Sequence, residues 1–290
     1  MAELAIAGLV LGGMYALVAM GLTLQYGVAR IMNLAYGELL IASAFFAYAI
    51  VAKLALSPIA ALAAAIPAGF IVSWLVYQVL LIPLVRRTGA GPGLEVDSIL
   101  ATFGLLFVVQ GVMLAAFGGG YYSYEFLSLP IDVLGAKVAA NRLLALAFAL
   151  VVGLALYLML TRTRIGTAIR AVAVAPQFAP LVAIDVRSVS ALAFGFGGAL
   201  VGAGGALISM FLPFSAAMGV VFTMKALVVV VMGGVGNLLG CLIAGFMLGY
   251  AETLVARFVD PGLTLAANYA LFLLVLFFRP NGLFGRREAR

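Results

Sequence analysis

At 290 residues, with 66% apolar and only 9% charged side chains, the chain has too little charge to clothe a water-soluble domain, where about a quarter of positions are ionisable. Its net charge of +6 does not mark a nucleic-acid binder, because the basic residues sit between apolar runs and at the tail. No histidine and one cysteine, Cys241 in an apolar run, exclude an imidazole relay, a haem ligand and an internal disulfide.

What fits is an all-α polytopic membrane protein, since a helix satisfies its own backbone within lipid. The first apolar span begins a few residues after Met1 with no basic leader, and others follow at once, so it is expected to be retained. Spans are predicted near 5–25, 34–52, 58–82, 97–117, 142–160, 189–211 and 263–279. The region 216–256 exceeds one pass and is interrupted by GGVGN at Gly233–Asn237. The whole reads as one transmembrane domain over residues 1–290.

Basic residues in the connections give direction. Arg30, Arg86, Arg87, Arg162, Arg164, Arg170, Arg187, Arg279, Arg286, Arg287 and Arg290 form one set; Lys53, Lys137, Arg142 and Arg257 form a smaller one. The positive-inside rule places the larger set in the cytoplasm, with the N-terminus external and the C-terminus cytoplasmic. Parity then puts the connections at 212–215 and 257–262 on the same external side. The segment between them must enter and return, as a pair folded around Gly233–Asn237. Eight near-full passes are expected, counting the second arm of this pair, plus a shorter first arm.

Glycines spread through the spans, such as Gly12, Gly198, Gly202, Gly245 and Gly249, read as packing positions where helix backbones approach. GAGGAL at Gly202–Leu207 lacks the lysine of a phosphate-binding loop, and no metalloprotease, redox or serine-nucleophile motif is present. No catalytic or metal residue is assigned, because an enzyme would need clustered acids, bases or ligands. The acidic residues are scattered instead. An ion-coupled carrier is the other competing class, with Glu38 and Glu252 as cation ligands, and it leaves the basic segment described next without a purpose.

Ionisable and amide groups inside apolar sequence need partners or an aqueous path. Glu38 opens the second span, Lys225 lies in FTMKALVVVV, and Asn33, Tyr36 and Asn237 fall near helix interruptions. Three readings of Glu38 stand: a cap on its own helix, a buried pair with Lys225, and a place on the solute path. There is an internal echo as well. YALVAMG, from Tyr15, precedes Asn33-Leu34 much as KALVVVVMGG, from Lys225, precedes Asn237-Leu238. Transporters are often built from repeats with interrupted helices at matching places, so Tyr15, Asn33, Tyr36, Glu38, Lys225 and Asn237 are the candidate solute-path or broken-helix positions. An internal duplication is left open.

Between the fifth and sixth spans, a segment at about 161–185 carries Arg162, Arg164 and Arg170. Ile165, Ala168, Ile169 and Val172 recur at helical spacing, and Pro176 and Pro180 end the run. This predicts a short amphipathic helix across the cytoplasmic face: a surface-lying structural helix or a lever for a motor subunit. Any ATP-powered version needs separate soluble subunits, since nothing in the chain can bind ATP.

Four stretches together resemble the permease subunit of branched-chain amino acid ABC transporters, a group that also includes urea and amide permeases. They are GGMYALVAMGLTLQYGVARIMNLAYGE, TRIGTAIRAVAVAPQFAPLVAIDV, MKALVVVVMGGVGNLLG and FRPNGLFG, within a likeness running from Gly8 to Gly285. The resemblance implies a multi-pass protein of the prokaryotic cytoplasmic membrane that moves hydrophobic amino acids, with urea or short amides as the alternative solute. It places Arg164, Gly166, Thr167, Arg170, Ala171 and Ala175 on the segment that docks into an ATPase subunit. It further implies two ATP-binding cassette subunits that hydrolyse the ATP, a second related permease or a homodimer, an extracytoplasmic solute-binding protein, and no cofactor on this chain. The sequence departs from the family pattern at Ala183, where glycine is common, and at Tyr36, where histidine is common. Alanine is expected to need no unusual backbone angle, so the turn at Ala183 is expected to differ.

Overall fold

The computed structural model describes residues 2–89, 92–124, 126–127, 129–133 and 136–285. Arg286, Arg287 and Arg290 of the larger basic set lie outside the described residues. The helices are α1 (Ala2–Ala29), α2 (Tyr36–Leu54), α3 (Pro58–Val76), α4 (Ile82–Thr88), α5 (Pro92–Phe117), α6 (Ala140–Arg162), α7 (Arg164–Val174), α8 (Val186–Ser209), α9 (Gly219–Gly233), α10 (Leu238–Phe258) and α11 (Thr264–Phe278). A widened π-turn at Tyr77–Leu81 joins α3 to α4 as one continuous helix. Pro83 follows that turn and has no amide hydrogen to offer it, which accounts for the irregularity.

Among the described residues, eight helices are long and apolar enough to cross a membrane, and α9 is a shorter apolar arm, as the parity argument requires. The break falls where it was predicted, with α9 ending at Gly233 and Asn237 capping α10. Gly233 meets Gly240, and Lys225 meets Glu252, so the two arms run back antiparallel.

α8 is buried along nearly its whole length, with α1 and α2 beside it. The glycines do what small residues do in lipid. Gly69 lies on Gly198, Ala65 on Gly202, Gly12 on Gly249, and Ala16 on Gly245, so α3 seats on α8 and α10 on α1. By contrast α5 and α11 show large apolar side chains outward, among them Leu100, Phe107, Leu273 and Phe277.

These contacts also order the ends. α1 runs antiparallel to α8 and to α10, and α3 antiparallel to α8. Arg30, Arg86, Arg87, Arg187, α7, the Gly233–Asn237 break and the tail therefore gather at one end. The tail is tied there: Leu283 N donates to Met232 O at 2.7 Å and Phe284 N to Gly233 O at 3.3 Å. Lys53, Arg142 and Arg257 end up opposite.

One feature of that opposite end has no counterpart in the span reading. The α5–α6 connection holds a small antiparallel hairpin, β1 (Pro130–Val133) with β2 (Ala136–Ala139), and Tyr122 pairs its backbone with Phe214. Strands this short carry too little alternation to stand out in sequence. Phe45 stacks on Phe117 with ring centroids 4.4 Å apart and meets Phe214 edge to face at 5.0 Å.

Candidate functional site

The six interior candidates separate into three places. At the first, the chain breaks between α1 and α2. Asn33 Nδ2 donates to Gln25 Oε1 at 3.1 Å, while its Oδ1 accepts from Ala35 N at 3.2 Å. Gln25 Nε2 continues to the Phe194 carbonyl at 3.1 Å. Thr102 Oγ1 accepts from Leu34 N, Thr223 Oγ1 accepts from Gly37 N at 2.8 Å, and the Tyr36 hydroxyl donates to the Gly197 carbonyl at 3.0 Å. Backbone groups freed by the interruption thus find partners on α5 and α9, and its side chains bond to α1 and α8.

Glu38 lies in the first turn of α2, fully buried. Its charge stands at the N-terminal end of its own helix without a hydrogen bond to that helix's amides. The carboxyl group reaches across to the start of α9, where a larger residue at Gly219 would collide with it and where the Val220 amide faces it.

Nor does Glu38 pair with Lys225, the second reading; Lys225 has another partner. Its ammonium sits 2.8 Å from Glu252 Oε1, 2.9 Å from Oε2 and 2.7 Å from the Tyr15 hydroxyl, and Tyr15 donates onward to Glu252 Oε2 at 2.9 Å. Asn268 Nδ2 adds a bond to Glu252 Oε2 at 3.2 Å. Because α10 folds back along α9, residues from α1, α9, α10 and α11 meet in one charge cluster. Asn268, Gln25, Thr102 and Thr223 were not among the sequence candidates; their signal is a lone polar residue in an apolar run, which alone names no partner.

Asn237 stands apart from both groups. Its Oδ1 caps α10 through Gly240 N at 3.0 Å and its Nδ2 donates to Phe284 O at 3.2 Å, fastening the tail to the break. Among the described residues, no three acidic or cysteine side chains gather to hold a metal.

The basic segment forms α7, as its periodicity predicts. The Thr163 hydroxyl caps it, accepting from Gly166 N at 3.1 Å. Gly166 is buried against Met159 and Leu160 in the last turn of α6, with no room for a side chain. Of the six residues assigned to docking, this one therefore faces the protein. Ile169 and Val172 also point inward, whereas Arg164, Thr167 and Arg170 are exposed, and Ala171 and Ala175 are half-buried. Exposed Val174, Phe178, Leu181 and Val182 extend the outward surface.

Ala183 corrects an expectation. It takes the left-handed conformation, with φ 58° and ψ 28°, closing the 3-10 turn Ala179–Val182 before Asp185 caps α8. The alanine takes the unusual angle and bears its strain. Ala183→Gly should therefore stabilise the chain by about 1 kcal/mol, seen as an apparent melting midpoint in detergent raised by roughly 2 °C. A lowered midpoint would argue against strain at this position. The Asp185 carboxyl is held below the usual carboxylate range, chiefly by the Ser188 hydroxyl and then by the Arg187 amide.

The family described as branched-chain amino acid transport system / permease component matches residues 4–279. The high-affinity branched-chain amino acid transport system permease protein LivH of Salmonella typhimurium is 29% identical over 97% of this chain and 94% of its own. BraD of Pseudomonas aeruginosa, named for the same kind of system, is 28% identical over the same shares. A probable LivH of Methanocaldococcus jannaschii is 26% identical over 84% of this chain and 77% of its own. A chain of PsaBC from Streptococcus pneumoniae, solved in complex with Fab, shares the fold at a TM-score of 0.50 and 11% identity, covering 98% of this chain and 93% of that one. With nearly its whole length matched, this multi-pass chain belongs to the branched-chain amino acid transport system permease family.

Proposed function

We propose that the chain is the membrane permease subunit of an ATP-driven importer of branched-chain amino acids, a single transmembrane domain working with separate subunits. The observation that carries this reading is α7. A short helix wedged by Gly166, Ile169 and Val172 against its neighbours, yet presenting Arg164, Thr167 and Arg170 outward, is built to transmit force. Two ATP-binding cassette subunits are its partners at that end, which is cytoplasmic, as the gathering of basic residues there supports. A second related permease, or another copy of this chain, completes the pathway. An extracytoplasmic binding protein delivers solute to the opposite end, near the N-terminus.

Reconstitution with these partners tests the proposal. Vesicles should accumulate leucine when ATP is supplied to the ATPase side. Uptake driven only by an ion gradient, or accumulation by this chain without any ATPase, would overturn it. A calorimetric titration of the cognate binding protein should show heat with leucine. Heat with urea alone would replace the amino acid by an amide solute.

A further inference from the structure

After α11 the chain turns back and crosses the ends of the helices. Gly282 N donates to the Arg279 carbonyl at 2.9 Å, and residues 283–285 then lie along the α9–α10 break. The last carbonyls of a helix have no partner within it. In α9 the Gly234 amide serves Val230 O and Val231 O, Leu283 N serves Met232 O, and Phe284 N serves Gly233 O. Asn237 Nδ2 closes this strap from the other side through the Phe284 carbonyl. Gly282 permits the approach: its φ is 81°, and a β-carbon there would stand 2.6 Å from the Val231 carbonyl oxygen. What the strapped break presents outward is apolar. Val235 in the turn, Leu239 in the first turn of α10 and Phe284 on the strap are 45%, 50% and 46% exposed. α7 stands close by. A β-carbon on Gly27, near the end of α1, would lie 3.3 Å from Gly236 Cα, and α1 also contacts α7, with Leu24, Val28, Ile169 and Val172 in one core. The break and α7 therefore flank the end of α1, two helix spacings of about 8–10 Å apart. A soluble domain of even 100 residues has a radius of gyration of about 13 Å, so one such domain seated on α7 spans the break as well.

We propose that the break and its strap form a second docking surface for the ATPase subunit that sits on α7, with Val235, Leu239 and Phe284 as its apolar contacts. The inference rests on the importer reading and adds a second grip to it. A turn beyond the ends of both α9 and α10 stands outside the span, so Val235 meets water until a soluble partner covers it. The surface continues the apolar side chains Phe178, Leu181 and Val182 that follow α7 at the same end. α7 is seated on α6 and α8, whereas the strap is bonded to α9, the arm that carries Lys225. A motor holding both surfaces moves two parts of the bundle together.

Photo-crosslinking tests this on the transporter assembled with its ATPase subunits in lipid nanodiscs. The photoreactive residue p-benzoylphenylalanine is placed singly at Val235 and at Phe284, with Leu181 beside α7 as the reference. All three positions should form adducts with the ATPase. If Val235 and Phe284 instead join only lipid or the second permease, or nothing, the second surface is overturned, and an ATPase adduct at Leu181 leaves the importer reading standing. No ATPase adduct at any of the three would remove both. Val235→Asp should melt like the parent, since the residue is exposed, yet raise the ATPase concentration for half-maximal assembly about tenfold or more. Parental assembly in that variant would count against the surface. Asn237→Ser keeps a capping hydroxyl for α10 and loses the bond to Phe284, so the ATPase adduct at Phe284 should fall about two- to tenfold. An unchanged yield there would show that the strap does not place Phe284 for docking.

Discussion

Glu252→Gln should destabilise the chain by about 3 kcal/mol, more than removing the Lys225–Glu252 pair altogether. The single change leaves the Lys225 ammonium among helices with only neutral partners, and water reaches little of it, since the two side chains are 12% and 15% exposed. An uncompensated charge within a bundle is costly in lipid. The double variant Lys225→Met with Glu252→Leu removes both charges at similar volume and should recover most of the loss. It leaves the Tyr15 hydroxyl and Asn268 without their acceptor, so recovery should be partial. Melting of the singles and the double, read as a double-mutant cycle, gives the coupling directly. Additive losses would show that the two side chains do not depend on each other.

Reversing charge on the outward face of α7 should do the opposite: spare the fold and disconnect the motor. Arg170 is exposed, so Arg170→Glu should insert and melt like the parent. ATP hydrolysis stimulated by loaded binding protein should fall about tenfold or more, because a like charge placed in a complementary interface costs several kcal/mol. Parental stimulation in a fully assembled variant would remove α7 from the role proposed for it. Ile169→Asp supplies the contrast. It places an unpaired carboxylate at a residue 2% exposed, so it should unseat α7 and lower the melting midpoint as well.

The two tests mirror what kind of information each site carried beforehand. α7 was legible because its signal is local: Thr163 caps, Ile165, Ala168, Ile169 and Val172 repeat at the helical period, and Pro176 stops the run. The break at Gly233–Asn237 was legible for the same reason, with parity of the basic connections adding that its arms must return. Lys225 was legible only as a residue needing a partner. A pair with Glu38 is one of three readings the sequence leaves open, because sequence does not tell which faces of four helices meet, and the partner is Glu252. Ala183 failed differently. Its local preference opposes the left-handed angle, and the fixed entry of α8 behind Asp185 overrides it.

Composition alone therefore determined that this chain spans a membrane as helices, since apolar runs of this length leave the backbone no other way to satisfy itself. The spacing of its apolar residues and prolines determined where the short helix α7 would stand. Only the tertiary structure decided that Glu252 neutralises Lys225, that Glu38 faces the start of α9 at Gly219, and that Asn141 keeps an unclaimed oxygen beside the end of α8. Each of those depends on contacts between helices far apart in sequence. Glycine-to-glycine approach sets such contacts, and sequence records only that the glycines are there.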